Sequence, residues 1–398
     1  MVFRIPRRPE DDAAGPALSL DTAIDEFYGD FPEHRDNVFI LNHQRVTDCI
    51  DVIKRLKPDI ARLKEQHKDL AYGAMIESVI AGAFEAKMPC SVNIGQSLFN
   101  KQDEQVIYAR VVVPAGDEFH ARALKSLLGA SSFNDMSDFP AMPQGLHNTA
   151  MWQRYVLDHE LGHAVTMLSV NKQDAKHEDV TNRRECEADA YAMIRHFQRY
   201  GADSTFPVFI RDLRNMNALH LGDVGHWTSR AIDRVIDMNA KGLLAGMTPA
   251  AARDAAIDIA RDVALSADAS FHVSKAAEVI KAVKRGPAHA PGDRVLDLIF
   301  HVAQAGAETR SPAVLEICRR YIDTVAAYVN RDMPQHVQQE KLERAAQNVS
   351  RMRGKSLTEE PPIPEVSRRL RNAFIDAMSG RRPDGQKPKD AKPPRFGT

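Results

Sequence analysis

What this chain lacks narrows its class before any motif is considered. No stretch of its 398 residues reaches the roughly 18 uncharged apolar residues that cross a bilayer. The N-terminal MVFRIPRRPEDDAAGPALSLDTA also has no apolar run of signal-peptide length. Cysteine is scarce: Cys49, Cys90, Cys186 and Cys318 are scattered without a C-x-x-C pair. That excludes a disulfide framework and a cysteine zinc cluster, and it points to a reducing compartment, the cytoplasm. An excess of one charge is missing too, since 53 Lys and Arg face 54 Asp and Glu for a formal charge of -1 at pH 7. No global field draws the protein to nucleic acid or to an anionic membrane, so neither is an expected partner. No internal period marks a repeat array.

What is present is the composition of a water-soluble globule, with hydrophobic residues at 43% and charged residues at 27%. Residues 1–20 mix Pro, Arg, Asp and Ala and read as a loose arm. From residue 21 the pattern is helical. Val46, Ile50, Ile53, Leu56, Ile60 and Leu63 recur at helical spacing, with Pro58 expected to break or kink that helix. EQVIYARVVVPAG, residues 104–116, is rich in β-branched residues and predicts a strand over Val106 to Val113, with CSVNIGQSLF at 90–99 as its candidate partner. A helix is expected around 117–128 and a loop at 130–145. Helices follow from about His147 to Ser169 and from Asn182 to Gln198, the second capped by Asp179 or Thr181. Residues 236–353 read as an all-helical C-terminal region, and 354–398 as a Pro-rich basic disordered tail. The expected fold is mainly α with a small β-sheet.

Within YVLDHELGHAVTML, residues 155–168, an apolar series is interrupted by two histidines and a glutamate. His159 and His163 are four apart, so on a helix both can reach one metal ion. Glu160 points roughly 100° away around the axis, beside such an ion. This is H-E-x-x-H, which reads mechanically as two zinc ligands plus a general base. Gly162, between the histidines, suits the close approach of another backbone. Alone, a motif with three fixed residues arises by chance in many unrelated chains, and a third ligand is required. The next helix carries NRRECEADAYAMIRHF, in which Glu185, 22 positions after His163, shares a face with Asp189. Glu187 and Cys186 lie off that face; a packing role suits Cys186 better than ligation.

His159, Glu160, His163, Glu185 and Asp189 together resemble the gluzincin metallopeptidases, the group that includes thermolysin. The string Glu185 to Ala192 also resembles the E-x-E-A-[DN]-x-[FY]-A pattern of bacterial intracellular and membrane-bound gluzincins, whose membrane branch has spans that this sequence lacks. The resemblance covers about residues 145–235. It implies a zincin-like domain over 21–235, Zn2+ held by His159, His163 and Glu185, and Asp189 orienting His159. It further implies a later side chain to stabilise an oxyanion, for which His226 in HLGDVGHWTSRAIDRVI is the candidate and Tyr191 the reserve. A peptide or protein substrate is the implied partner, with Val106 to Val113 as a strand edge against which it could lie. A second reading is a catalytically silent zincin-fold module with a structural zinc, whose C-terminal helices bind a protein partner. Its motivation is the more than 150 residues beyond the motif.

Overall fold

The computed structural model describes residues 19–43, 45–66, 72–99, 105–115, 149–166, 177–220, 222–285, 291–328 and 339–362. The expected helix at 117–128, the loop at 130–145, most of the arm and most of the tail lie outside these residues. The first helix, α1 (Leu20–Asp30), starts at Ser19, whose hydroxyl accepts from the Thr22 amide. A single 3-10 turn at Pro32–His34 leads into β1 (Val38–Ile40). Two helices follow, α2 (Val46–Gln66) and α3 (Tyr72–Glu85), then β2 (Cys90–Phe99) and β3 (Gln105–Val113). Pro58 does not break α2. The carbonyl it frees belongs to Lys54, and both residues are exposed, so water can take the missing bond.

The sheet order is β1-β3-β2. β1 runs parallel to β3, and β2 pairs antiparallel with it from Cys90↔Val113 to Ile94↔Ala109. The candidate pairing of 90–99 is therefore formed. β3 is the central strand, so the expectation of a free edge over Val106 to Val113 fails where β1 pairs with Arg110 to Val112, opposite the side lined by β2. Its β-branched run is what burial on both faces demands. Ala109, Val111 and Val113 pack with Leu56, Ile60, Ile76, Ile80 and Phe84 of α2 and α3. Val112, with Val38 and Ile40 of β1, belongs instead to the larger core on the opposite face.

That larger core is built on α4 (Thr149–Val165) and α5 (Val180–Tyr200), which pack against each other. Around them lie α6 (Phe206–His220), α7 (Ser229–Ala240) and α8 (Pro249–Val263). Next come α9 (Ala267–Arg285), α10 (Pro291–Glu308), α11 (Pro312–Tyr328) and α12 (Gln339–Arg353). One continuous hydrophobic cluster runs from Ala23 to Met352. The protein is mainly helical with a small three-stranded sheet, a zincin-like arrangement followed by an all-helical C-terminal region. Among the described residues no helix is long and apolar enough to cross a membrane.

α4 is buried on nearly every side. Trp152, Tyr155, Leu157, Leu161 and Ala164 are joined in the interior by Arg154, Asp158 and His159. Polar groups at such depth have to be matched by partners. Arg154 pairs with Asp158 at 3.1 Å and with Glu26 of α1 at 3.0 Å.

Candidate metal centre

Two local devices bring the ligand helices together. Gly162 faces α5 so closely that a Cβ there would lie 2.8 Å from the Cα of Ala188. The absence of a side chain lets the two backbones touch. The start of α5 is fixed by Asp179, whose carboxylate accepts from the Thr181 and Asn182 amides. Asp179 also accepts from Ser270 of α9, while its amide donates to Leu265 O at 2.9 Å. Asp179, one of the two expected caps, thus also anchors α5 to the C-terminal helices.

The result is a cluster in which His159, His163 and Glu185 each offer a ligand atom, all within 4.8 Å of one another. His159 Nε2 is 3.1 Å from Glu185 Oε2, and His163 Nε2 is 3.5 Å from Glu185 Oε1. Atoms bound at 2.0–2.1 Å around a tetrahedral zinc would lie roughly 3.4 Å apart, so these separations match a shared ion. His159 Nδ1 donates to Asp189 Oδ1 at 2.7 Å, which in the neutral ring leaves Nε2 as a lone pair turned towards a carboxylate oxygen. Two such acceptors repel unless a cation or a proton lies between them. Glu185 Oε2 is buried, and none of its close contacts has hydrogen-bond geometry. The donor set fits zinc.

Electrostatics bear the same mark. Burial opposes the charge on Glu185, yet His163, His159 and His226 hold its carboxyl well below the usual range. Burial also opposes protonation of His159, but Asp189 and Glu185 outweigh it and lift the imidazole to about 10. The histidine therefore sits in a field that demands positive charge at its Nε2, which a metal supplies as readily as a proton.

Asp189 is fully buried and collects donors from four residues. Besides His159, it accepts from Tyr155 Oη at 2.7 Å and from Arg214 Nε at 2.9 Å and Nη2 at 3.1 Å. The Thr228 hydroxyl is a further donor. Burial would raise its pKa, but Arg214 and His159 hold it far below the usual carboxylate range. Charge on Asp189 is thereby fixed, and with it the ring orientation of His159. Sequence reasoning found Asp189 but not Tyr155, Arg214 or Thr228. Tyr155 could have been read, since it stands four residues before His159 on the same helix; Arg214 and Thr228 reach the site only through the fold.

His226 precedes α7, whose N-cap is Thr228. Its Nε2 lies 3.1 Å from Glu185 Oε2, and its Nδ1 donates to Asp223 Oδ1 at 2.8 Å. Burial lowers its pKa, but the hydrogen bond to Asp223 and the nearby charge of Glu185 prevail and place it at about 9. Asn182 holds this segment: its amide donates to the carbonyls of Gly225 and Trp227 at 3.1 and 3.2 Å, and its oxygen accepts from the Leu265 amide at 2.8 Å. Neither Asn182 nor Asp223 was identified from sequence, although D-x-x-H is a local spacing that signals a carboxylate beside an imidazole. Tyr191, the reserve candidate, is buried with its ring 6.4 Å from Phe31, towards the N-terminal helix. Cys186 is buried, its thiol 3.8 Å from Asn182 Oδ1, and Glu187 turns to Arg183 at 3.3 Å.

No family model, curated protein or solved structure matches the chain. The assignment therefore rests on geometry. His159, His163 and Glu185, with Glu160 beside the first histidine, form an H-E-x-x-H…E zinc-binding site consistent with a gluzincin metallopeptidase.

Proposed function

We propose that the protein hydrolyses peptide bonds in a peptide or protein substrate, with residues 21–235 as the catalytic unit and 236–353 as a helical region that buttresses it. The observation that carries this reading is the convergence of His159, His163 and Glu185 on one point, with Glu160 next in sequence to a ligand. The packing of α8 against α5 supports the buttressing role. Zinc, when bound, polarises the scissile carbonyl and acidifies the attacking water. The Glu160 carboxylate takes the proton from that water and returns it to the leaving amine. His226, oriented through Nδ1 by Asp223, donates from Nε2 in its protonated form to the oxyanion of the tetrahedral adduct. A positioned donor of this kind is worth roughly 3 kcal/mol of barrier. Asp189 keeps His159 in the tautomer that turns Nε2 inward.

The test is Glu160→Gln against wild type on a fluorogenic peptide library, with metal content measured in parallel. The substitution should leave zinc in place and reduce hydrolysis by roughly 10²- to 10⁴-fold. A Glu160→Gln protein of wild-type activity would sink the mechanism. Wild type that binds zinc but cleaves no peptide would favour the silent-module reading instead.

A further inference from the structure

The segment that carries His226 is gripped from the C-terminal region. Thr228 is the N-cap of α7, and its amide donates to the His226 carbonyl at 2.9 Å, so His226 moves with the start of that helix. Between them Trp227 is only 1% exposed. Side chains on a helix lean towards its N-terminus. Arg230, in the first turn of α7, accordingly lies over the Trp227 ring, its guanidinium carbon 5.0 Å from the ring centre. An arginine laid on an indole face both covers it and attracts it.

Arg230 is in turn fixed by α11. Its Nε and Nη2 donate to the two oxygens of Glu316 at 3.1 and 2.6 Å, a two-point fit of planar groups. One turn on, Arg320 donates to Glu316 at 2.8 Å and also to Asp233 of α7. Arg211 of α6 adds a bond to Asp233 at 3.3 Å. A further turn along α11, Thr324 accepts from Asn215 of α6 at 3.4 Å, while Asn215 accepts from the Trp227 indole N–H at 3.3 Å. Positions 316, 320 and 324 share one face of a helix. A single stripe of α11 therefore reaches Trp227 twice, over its ring through Arg230 and at its N–H through Asn215. The bonds through Asn215 are long, so Glu316 is the firmer route. Isolated surface ion pairs contribute little, but Arg230, Glu316, Arg320 and Asp233 are only 26–34% exposed and form a network with two-point geometry.

We infer that Glu316 and Arg230 are positioning residues, which hold Trp227 and through it aim His226 at the metal centre. The inference rests on the peptidase reading for its catalytic consequence. Residues 21–235 hold every group proposed to touch the substrate, and α11 aims one of them. The oxyanion exists only in the transition state and the adduct, so a misplaced donor slows turnover and leaves substrate binding alone.

Glu316→Gln keeps the shape of the side chain and removes its charge. Asp323→Asn is the control: it lies on the same helix, and its exposed ion pair with Arg353 is 2.8 Å long. On a peptide that wild type cleaves, Glu316→Gln should lower kcat about tenfold with KM and zinc content unchanged. Asp323→Asn should match wild type. Independent losses add, whereas residues acting through one group do not. In a His226→Gln background the Glu316→Gln step should therefore cost less than about twofold. An equal cost in both backgrounds, or no fall in kcat, would overturn the positioning role. A readout independent of turnover is the indole N–H resonance of Trp227, one of two tryptophans in the chain, assigned by its survival in Trp152→Phe. In zinc-loaded protein Glu316→Gln should shift it and Asp323→Asn should not. If wild type cleaves no peptide but the shift is seen, the grip of α11 on the His226 segment stands while the peptidase reading fails. An indole signal unmoved by Glu316→Gln overturns the inference itself.

Discussion

Asp189 shows how one residue can set both metal affinity and stability. Its carboxylate accepts from His159, Tyr155, Arg214 and Thr228 in a fully buried setting. Asp189→Asn removes the charge while keeping the size, and leaves Arg214 buried without its counter-ion. Stability should fall by about 3–5 kcal/mol, as when one partner of a buried pair is deleted. Zinc affinity should fall roughly 10- to 100-fold as His159 loses its orienting partner. Denaturant unfolding and competition with a chelator measure the two effects; a variant unchanged in both would show that Asp189 is incidental. The core of this site was legible in the sequence because its spacings are local. Positions 159 and 163, like 185 and 189, share a helical face wherever a helix forms. Arg214 and Thr228 were not legible, because their approach to Asp189 depends on how α6 and α7 cross α5, which no short spacing encodes. Tyr191 shows the converse: the motif string contains it, but its ring is turned towards Phe31.

At the scale of elements, the crossing of α4 and α5 at Gly162 governs the ligand geometry. Gly162→Ala would gain about 1 kcal/mol in helix propensity. The added Cβ, however, would meet the Ala188 Cα at 2.8 Å and its carbonyl oxygen at 3.0 Å, and neither is the flexible end of a side chain. Overpacking of this kind costs about 1–3 kcal/mol, so the net effect should be destabilising. Thermal unfolding should show a lower Tm and zinc titration a weaker site; an alanine variant more stable than wild type would refute the close crossing. The role of Gly162 was readable as a small residue between two ligands, although its neighbour was not. The strand over 106–113 was readable from its β-branched run, but its central place was not. Alternation alone cannot show that the three residues of β1, far upstream, pair along Arg110 to Val112 on its second edge.

Across the whole molecule, the N-terminal helix is tied to the metal-bearing helices by two carboxylates, Glu26 and Asp30. Glu26 of α1 contacts Arg154 of α4 at 3.0 Å, and Arg195 and Arg199 of α5 at 2.9 and 2.7 Å. Asp30 adds a contact to Arg195 at 2.6 Å, and Asp158 one to Arg199 at 2.9 Å. Burial raises the Glu26 pKa, but Arg154, Arg199 and Arg195 prevail and leave it below its ordinary 4.5. A carboxyl depressed in the folded state stabilises above its unfolded pKa, and that stabilisation is lost as pH falls through the lower folded value. Asp189 acts in the same direction, whereas burial raises Asp30 and opposes them. Stability should therefore decline below about pH 4.5, and Glu26→Gln should flatten part of that slope. Unfolding midpoints at several pH values measure it; an identical pH profile in the variant would remove Glu26 from the account. The tie was invisible in sequence, since it joins residues more than a hundred positions apart.

Zinc content per chain tests the metal centre most directly. Wild type and Glu185→Ala, purified alike with zinc supplied, are compared by elemental analysis. About one zinc per wild-type chain, lost in the variant, is expected of a site with two histidine ligands and one carboxylate. A wild-type chain without zinc, or a Glu185→Ala chain that retains it fully, would contradict the three-ligand centre.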